Sequence, residues 1–349
     1  MNSRERFLAA MRFQPPDAVP TPCLFQRFEA ETIRRWNREG LPRDVRPIEY
    51  FGFERCEYAP VNLGLFPAGD EADAAEAREW EMEDRQHEDE AIARSDEVKV
   101  IYPLRHRQEW DSFTRRLNPD SPGRYPRFWE DWARHRRERD YPLGIWLDGP
   151  FSSLRAWIGA SALGRAWRED RAWVDEMLGY LGDFAVAAAS RAVKDLHPDF
   201  AVVREASAYR FPSVAPAEDL AGLLSPWYRS VADFLAAGGV EVRLVEAPGN
   251  VAELIPTWVE NGLNGLCFAE VSAGLDVRSL RARYGKDLAL IGNLDEGALR
   301  GPRRDVADEL LAKGGLVSSG GYIPTPDRPV SSEVDFEDYE HYLESLRRL

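Results

Sequence analysis

"EVRLVEAPGN" (residues 241–250) reads as a short strand that runs straight into a turn. Val242, Leu244 and Val245 are apolar, Glu246 stands where the strand should stop, and Pro248-Gly249 turns the chain into a helical stretch, "VAELIPTWVENG". A carboxylate at the lip of a buried strand, just ahead of a helix, marks either a site or a solvated loop. Recurrence of the same pattern along the chain decides between them.

The pattern recurs. Short apolar runs ending in Gly, Pro or a charged residue appear as "LGIWLDGP" (143–150), "FAVVREAS" (200–207), "NGLCFAEV" (264–271), "LALIGNLD" (288–295) and "GLVSSGG" (315–321). Helical stretches separate them, at 170–195, 216–237, 251–261, 276–284 and 303–313. Gly238-Gly239, Gly262 and Gly285 fall at helix ends, where a left-handed cap favours glycine. Two upstream runs, "VPTPCLF" (19–25) and "YAPVNLGLF" (58–66), bring the count to eight. Alternating strands and helices predict a parallel sheet, and eight units predict a single closed (β/α)8 TIM barrel in the α/β class. No GxGxxG follows the first strand and "GALRGPRR" lacks a GK[ST] ending, which argues against nucleotide-phosphate loops.

One domain is expected over 1–349. A helical extension precedes the barrel, with Phe7, Leu8 and Met11 on one face, and residues 68–139 form an insertion or helical cover. Its first part, 68–98, is densely charged and reads as a solvated excursion. The rest holds two Arg- and Trp-rich helical stretches, "RQEWDSFTRRL" and "RYPRFWEDWARHRRERD", in which Phe128, Trp129 and Trp132 read as a packing stripe.

Composition narrows the function classes. Against 45 Lys+Arg stand 60 Asp+Glu, a net charge of −15, which repels phosphate backbones and anionic lipid. Nucleic acid and membrane partners are therefore not expected. No apolar run reaches the ~18–20 residues of a membrane span, and "MNSRERFLAAMRFQPPD" carries no apolar signal core. Cys23, Cys56 and Cys267, odd in number and far apart, fit a reducing cytoplasm.

In a parallel barrel the C-terminal strand ends form one rim. The residues closing the predicted strands are Asp148, Arg204 with Glu205, Glu246, Glu270, Asn293 with Asp295, and Asp327 with Arg328; Arg27 follows the first strand. Converging acids can hold a proton at raised pKa for general acid–base work, and neighbouring arginines can take a carboxylate in bidentate fashion. Glu246 and Glu205 are the acid/base candidates, with Asp295 and Tyr209 (in "ASAYRF") orienting or relaying. The five histidines lie away from the predicted strand ends, and no CxxC or HxxxH occurs. No metal is expected, although Glu205, Glu246 and Glu270 leave an all-carboxylate site open for a hard cation.

The chain resembles the uroporphyrinogen decarboxylase superfamily nearly end to end. The likeness is carried by "SRERFLAAMRFQPPDAVP" (3–20), "YFGFE" (50–54), "PVNLGLFP" (60–67), the segment 223–295 from "LLSPWYRSV" to "IGNLD", and "GGYIPTPDRPVSSEVDFEDYEHYLESLR" (320–347). In its zinc-dependent methyltransferases the fifth strand ends in His-x-Cys-Gly-Asn. Here Glu246-Ala247-Pro248-Gly249-Asn250 keeps the Gly-Asn and lacks both ligands, and the third ligand position falls near Arg328. In the decarboxylase branch, arginines after the first strand hold substrate carboxylates; here "CLFQRFEAET" offers Arg27-Phe28, and the position of a substrate tyrosine falls near Trp157.

The resemblance implies a metal-independent, cofactor-free decarboxylase or related lyase. Its anionic, carboxylated small molecule would be held at the barrel mouth by Arg27, Arg204, Asn250, Glu270, Asn293, Arg328 and Trp157. The alternatives are methyl transfer to or from a corrinoid protein without zinc, or a non-catalytic binding barrel. The resemblance also implies a homodimer.

Overall fold

The computed structural model describes residues 1–65, 102–205 and 216–349. Seven strands form one parallel sheet in strictly sequential order: β1 (Glu57–Tyr58), β2 (Leu143–Asp148), β3 (Phe200–Arg204), β4 (Val242–Glu246), β5 (Gly265–Cys267), β6 (Ala289–Ile291) and β7 (Tyr322–Ile323). Long helices link successive strands, among them Arg171–Leu196, Ala217–Ala237 and Arg303–Ser319.

The alternation of side chains along the strands builds two cores. Phe200, Val202, Val242, Leu244, Cys267, Ile291 and Ile323 face a cluster that Phe7 and Met11 of the N-terminal helix (Ser3–Met11) plug from below. Ala201, Val203, Val245, Leu266 and Leu290 face the surrounding helices. No helix among the described residues is long and apolar enough to cross a membrane.

Three predicted strands come out differently, each for a local reason. The run 19–25 is no strand: Pro20 and Pro22 have no N–H to give a ladder, and Cys23–Phe25 winds into a 3₁₀ turn. The segment 22–28 makes two isolated parallel bridges to the chain flanking the edge strands, Pro22 with Glu54 ahead of β1 and Phe28 with Val330 beyond β7. The sheet is curled, and among the described residues no eighth ladder closes it.

Of the described part of the run 58–66 only Tyr58 belongs to a strand, β1: the Ala59 N–H still reaches the Gly144 carbonyl at 2.8 Å, and Pro60, next along, has no N–H to extend the ladder. The run 315–321 is mostly helix. Val306, Leu310, Lys313 and Val317 recur at helical spacing and are buried, so the helix continues to Ser319. It stops at Gly320, whose φ of 74° no β-branched residue would accept readily. The strand proper is β7, just beyond.

Of the Arg/Trp stretches, residues 107–117 break into a 3₁₀ turn, the helix Trp110–Phe113 and a second 3₁₀ turn, while Trp129–Arg137 is a continuous helix. Trp129 is buried and stacks on Trp132 at 5.5 Å, but Phe128 is 63% exposed. The charged run 68–98 lies outside the described residues.

Candidate functional site

Register determines which strand-end residues meet. Asp148 pairs with Arg204, Arg204 with Glu246, and Glu246 with Cys267. Register partners in a parallel ladder project to the same face, so these side chains form one row above the inner core. Arg27, arriving from the segment after the 3₁₀ turn, completes it: its Nη2 lies 2.8 Å from Glu246 Oε1. Arg204 Nη2 lies 3.5 Å from Asp148 Oδ1. The row thus alternates acid, base, acid, base.

Both guanidiniums rest on aromatic faces. Arg27 sits 3.8 Å above the Phe268 ring and Arg204 5.1 Å from that of Trp146. Such stacking holds the planar fork in place and leaves its N–H edges for an incoming anion. Phe268 is positioned by an unusual backbone, with φ of 59°, and by Gly292, where an added Cβ would stand 3.0 Å from the Phe268 backbone. Burial grades along the row, from the Glu246 side chain at 11% exposed to Asp148 at 44%.

A second group lies at the ends of β5 and β7. The carboxyl of Glu270 is raised by burial, with Arg328 pulling the other way, and it accepts the Gly249 N–H. That bond ties the loops after β4 and β5 together. Asp327 is also raised by burial; it accepts the Val271 N–H at 2.8 Å and the Glu296 N–H at 3.1 Å. Arg328 donates to the Ser272 hydroxyl and lies 3.7 Å from Asp327.

Several predicted site residues are placed elsewhere. Glu205 follows Arg204 directly, so extended geometry turns it to the opposite face. There, fully buried, it accepts from the Tyr228 hydroxyl at 2.6 Å and from the Ser152 N–H and hydroxyl at 3.0 and 2.9 Å. It caps the helix Pro150–Ile158 and does not join Glu246. Asn293 is buried with φ of 57°; it accepts the Val277 N–H and donates to the carbonyls of Ala269 and Leu275. Asp295 caps a short helix through the Gly297 N–H at 2.8 Å.

Asn250 makes a local turn to the Ala252 N–H at 3.2 Å. Trp157 is buried on its helix with its ring edge against Phe113 at 5.0 Å, a packing position away from the charged row. Tyr209 lies outside the described residues.

Glu205 has a measurable consequence. Burial pushes its carboxyl up to about 6 from 4.5, with the bonds from Tyr228 and Ser152 offsetting part of the rise. The folded chain therefore keeps this proton to higher pH than the unfolded chain. Its contribution is full below the unfolded value and is lost as pH rises through the folded one, about 2 kcal/mol in all. Glu205→Gln is expected to flatten the dependence of Tm on pH between about 4.5 and about 6. Parallel curves for the two proteins would contradict it.

The site includes residues that the sequence did not single out as catalytic or substrate-binding: Asp148, beyond its strand-end position, and, deeper on the same face, Trp146 and Tyr58. Tyr58 pairs with Gly144 on β2, so its ring stands against Trp146 at 5.4 Å on the inner face. Burial holds its phenol well above the ordinary value, which keeps it a proton donor. Counting parity back from Arg204 along "LGIWLD" and its paired strands would have found Trp146 and Asp148; nothing local marked Tyr58.

Among the described residues, no three His, Cys, Asp or Glu side chains converge to hold a metal ion. The thiol beside Glu246, Cys267, donates to the Val245 carbonyl at 3.3 Å and is pushed well up by burial, the opposite of a thiolate ligand. The donor set of a zinc–thiolate site is thus not found in the described part of the row.

No protein-family model matches the chain, and no curated protein sequence does. Among solved structures, a methyltransferase from Methanosarcina mazei is similar at a TM-score of 0.63 and 16% identity, over 100% of this chain and 99% of its own. At that identity the likeness is one of fold.

Proposed function

We propose that the chain is an enzyme that binds a small anionic molecule at the C-terminal strand ends and works by methyl transfer. The observation that carries this reading is the alternating row Asp148, Arg204, Glu246, Arg27, built on a fold shared with a methyltransferase. In this reading the curled sheet acts as a (β/α)8 barrel whose eighth position is filled by the non-strand segment 19–28. The chain stands as a divergent relative of the uroporphyrinogen decarboxylase superfamily.

The chemistry follows from the row. Arg204 and Arg27, each over its aromatic neighbour, take the anionic group of the substrate. Glu246, the most buried acid of the row, receives the proton of the acceptor's hydroxyl, thiol or amine as the methyl group moves onto that atom and the donor leaves with the bonding electrons. Tyr58 donates a hydrogen bond to the bound anion. The methyl donor is a second molecule, and a corrinoid carried by a partner protein fits the sequence resemblance. Decarboxylation would use the same arginines, but the fold comparison favours the transferase.

The test sets the two chemistries against each other. The full chain is incubated with methylcobalamin and a panel of thiol and phenolic acceptors, reading loss of the cobalt–methyl absorbance. A parallel panel of carboxylic acids is read for carbon dioxide. Acceptor-dependent demethylation without carbon dioxide release is expected. Release of carbon dioxide from any acid in the panel, with no demethylation, overturns the reading in favour of a lyase.

A further inference from the structure

We propose that the cleft outside the mouth carries a second anion subsite, over Arg124 and between Arg115, Arg127 and Arg191, which takes a phosphate-bearing tail of the ligand whose head is held at Arg204. The proposal rests on the mouth reading for the head group, and its test separates the two.

Three observations converge. Tyr58, Trp146, Asp148 and Arg204 of the mouth also line a cleft of about 1840 Å³ that continues between residues 59–65 and 115–131. A site for one drug-sized molecule needs about 300–1000 Å³, so the cleft suits a longer ligand than the row alone would hold.

Beneath this cleft lies a buried cation with no acid in reach among the described residues. Arg124 is 1% exposed, and its guanidinium gives its hydrogen bonds to backbone carbonyls: Asn118 at 3.1 Å, Asn62 at 3.0 Å, Arg116 at 2.6 Å, and Gly64. Those bonds pin the two walls together, and the plane lies 4.6 Å from the Phe184 ring. No carboxylate among the described residues is in salt-bridge range of it. Burial lowers its pKa to about 10, so it stays charged at neutral pH. A charge taken out of water with no acid beside it among the described residues is costly, and an anion held in the cleft would offset part of that cost.

The rim repeats the sign. Arg115 and Arg127 are exposed and have no ion-pair partner among the described residues. Arg191 is only loosely paired, at 3.6 Å from Glu130 and 3.7 Å from Asp195. Asp120, Glu130 and Asp131 are the acids of the walls, and Asp131 is engaged by Arg134 at 2.9 Å. In a chain of net charge −15 this is a local reversal. Guanidinium forks match phosphate oxygens in bidentate geometry.

The probe is inorganic pyrophosphate, titrated calorimetrically into the full chain at low ionic strength. The wild type, the double variant Arg115→Gln/Arg127→Gln and Arg204→Met are compared. Both changed sites are surface or mouth positions, and circular dichroism checks that each variant is folded. Expected is binding that weakens with salt, at least about tenfold weaker in the double variant and less than about threefold weaker in Arg204→Met. The proposal is overturned if the wild type does not bind pyrophosphate, or if the double variant binds as the wild type does. Loss in Arg204→Met alone also overturns it, by placing the anion at the mouth and leaving the mouth reading intact.

Discussion

Replacing Asp199 by alanine is expected to destabilise the protein by about 3–5 kcal/mol, the cost of leaving a buried charge unpaired. Asp199 sits just ahead of β3, at the face opposite the charged row. Its carboxylate takes Arg139 through Nε at 3.1 Å and Nη2 at 2.9 Å, Arg4 Nε at 2.8 Å, and the Leu143 N–H at 2.9 Å. It thereby joins the starts of β2 and β3 to the N-terminal helix. The Arg139 side chain is 1% exposed and has no other acid partner among the described residues. Its remaining bonds go to the carbonyls of Arg136, Leu196 and His197. Alanine would strand that guanidinium. Denaturant unfolding read by circular dichroism checks it: the midpoint should fall sharply at constant slope. Asp199→Asn, which keeps an acceptor, should lose less. A fall below about 1 kcal/mol in the alanine variant would show that Arg139 finds water instead.

Glu246→Gln is expected to lower kcat by about 10²- to 10⁴-fold, the usual contribution of a positioned proton acceptor, while leaving the fold intact. An amide cannot accept the acceptor's proton, and it also frees Arg27 from its 2.8 Å ion pair. The freed guanidinium remains on Phe268 and is available to the substrate anion. KM should therefore hold steady or drop while kcat collapses. Steady-state kinetics on the methyl-transfer pair identified by the panel separates the two. If kcat stays within about threefold and only KM rises, Glu246 merely positions Arg27 and the proton acceptor lies elsewhere.

Much of the architecture was legible because it follows from local rules. Apolar runs of strand length alternating with helical stretches predicted a parallel sheet, and seven parallel strands in sequential order are present. Where the reading failed, a specific competing effect won. Two prolines removed the donors that a first strand needed, and a buried face at helical spacing drew residues 315–319 into a helix despite Gly314-Gly315.

The site was half legible. The acids and arginines at the strand ends were visible, but Arg204 and Glu205 were read together as site residues. Adjacent residues of a strand face opposite sides, and only one of them can reach the row. Asp295 and Asn293 belong to strand ends in the sequence, yet backbone N–H and C=O groups claim their side chains.

The chain by itself determined its periodicities: which segments bury one face, and which charged residues stand at strand ends. Those are properties of neighbours within a turn or a strand, and a sequence displays them directly. The tertiary structure alone decided that Arg27 meets Glu246, 219 residues further along the chain, that Tyr58 stands beside Trp146, and that Arg124 lies buried beneath a basic cleft with no acid in reach among the described residues. Contacts of that kind depend on strand register and on how far the sheet curls. Both are set by the packing of the whole core, which no short window of sequence contains.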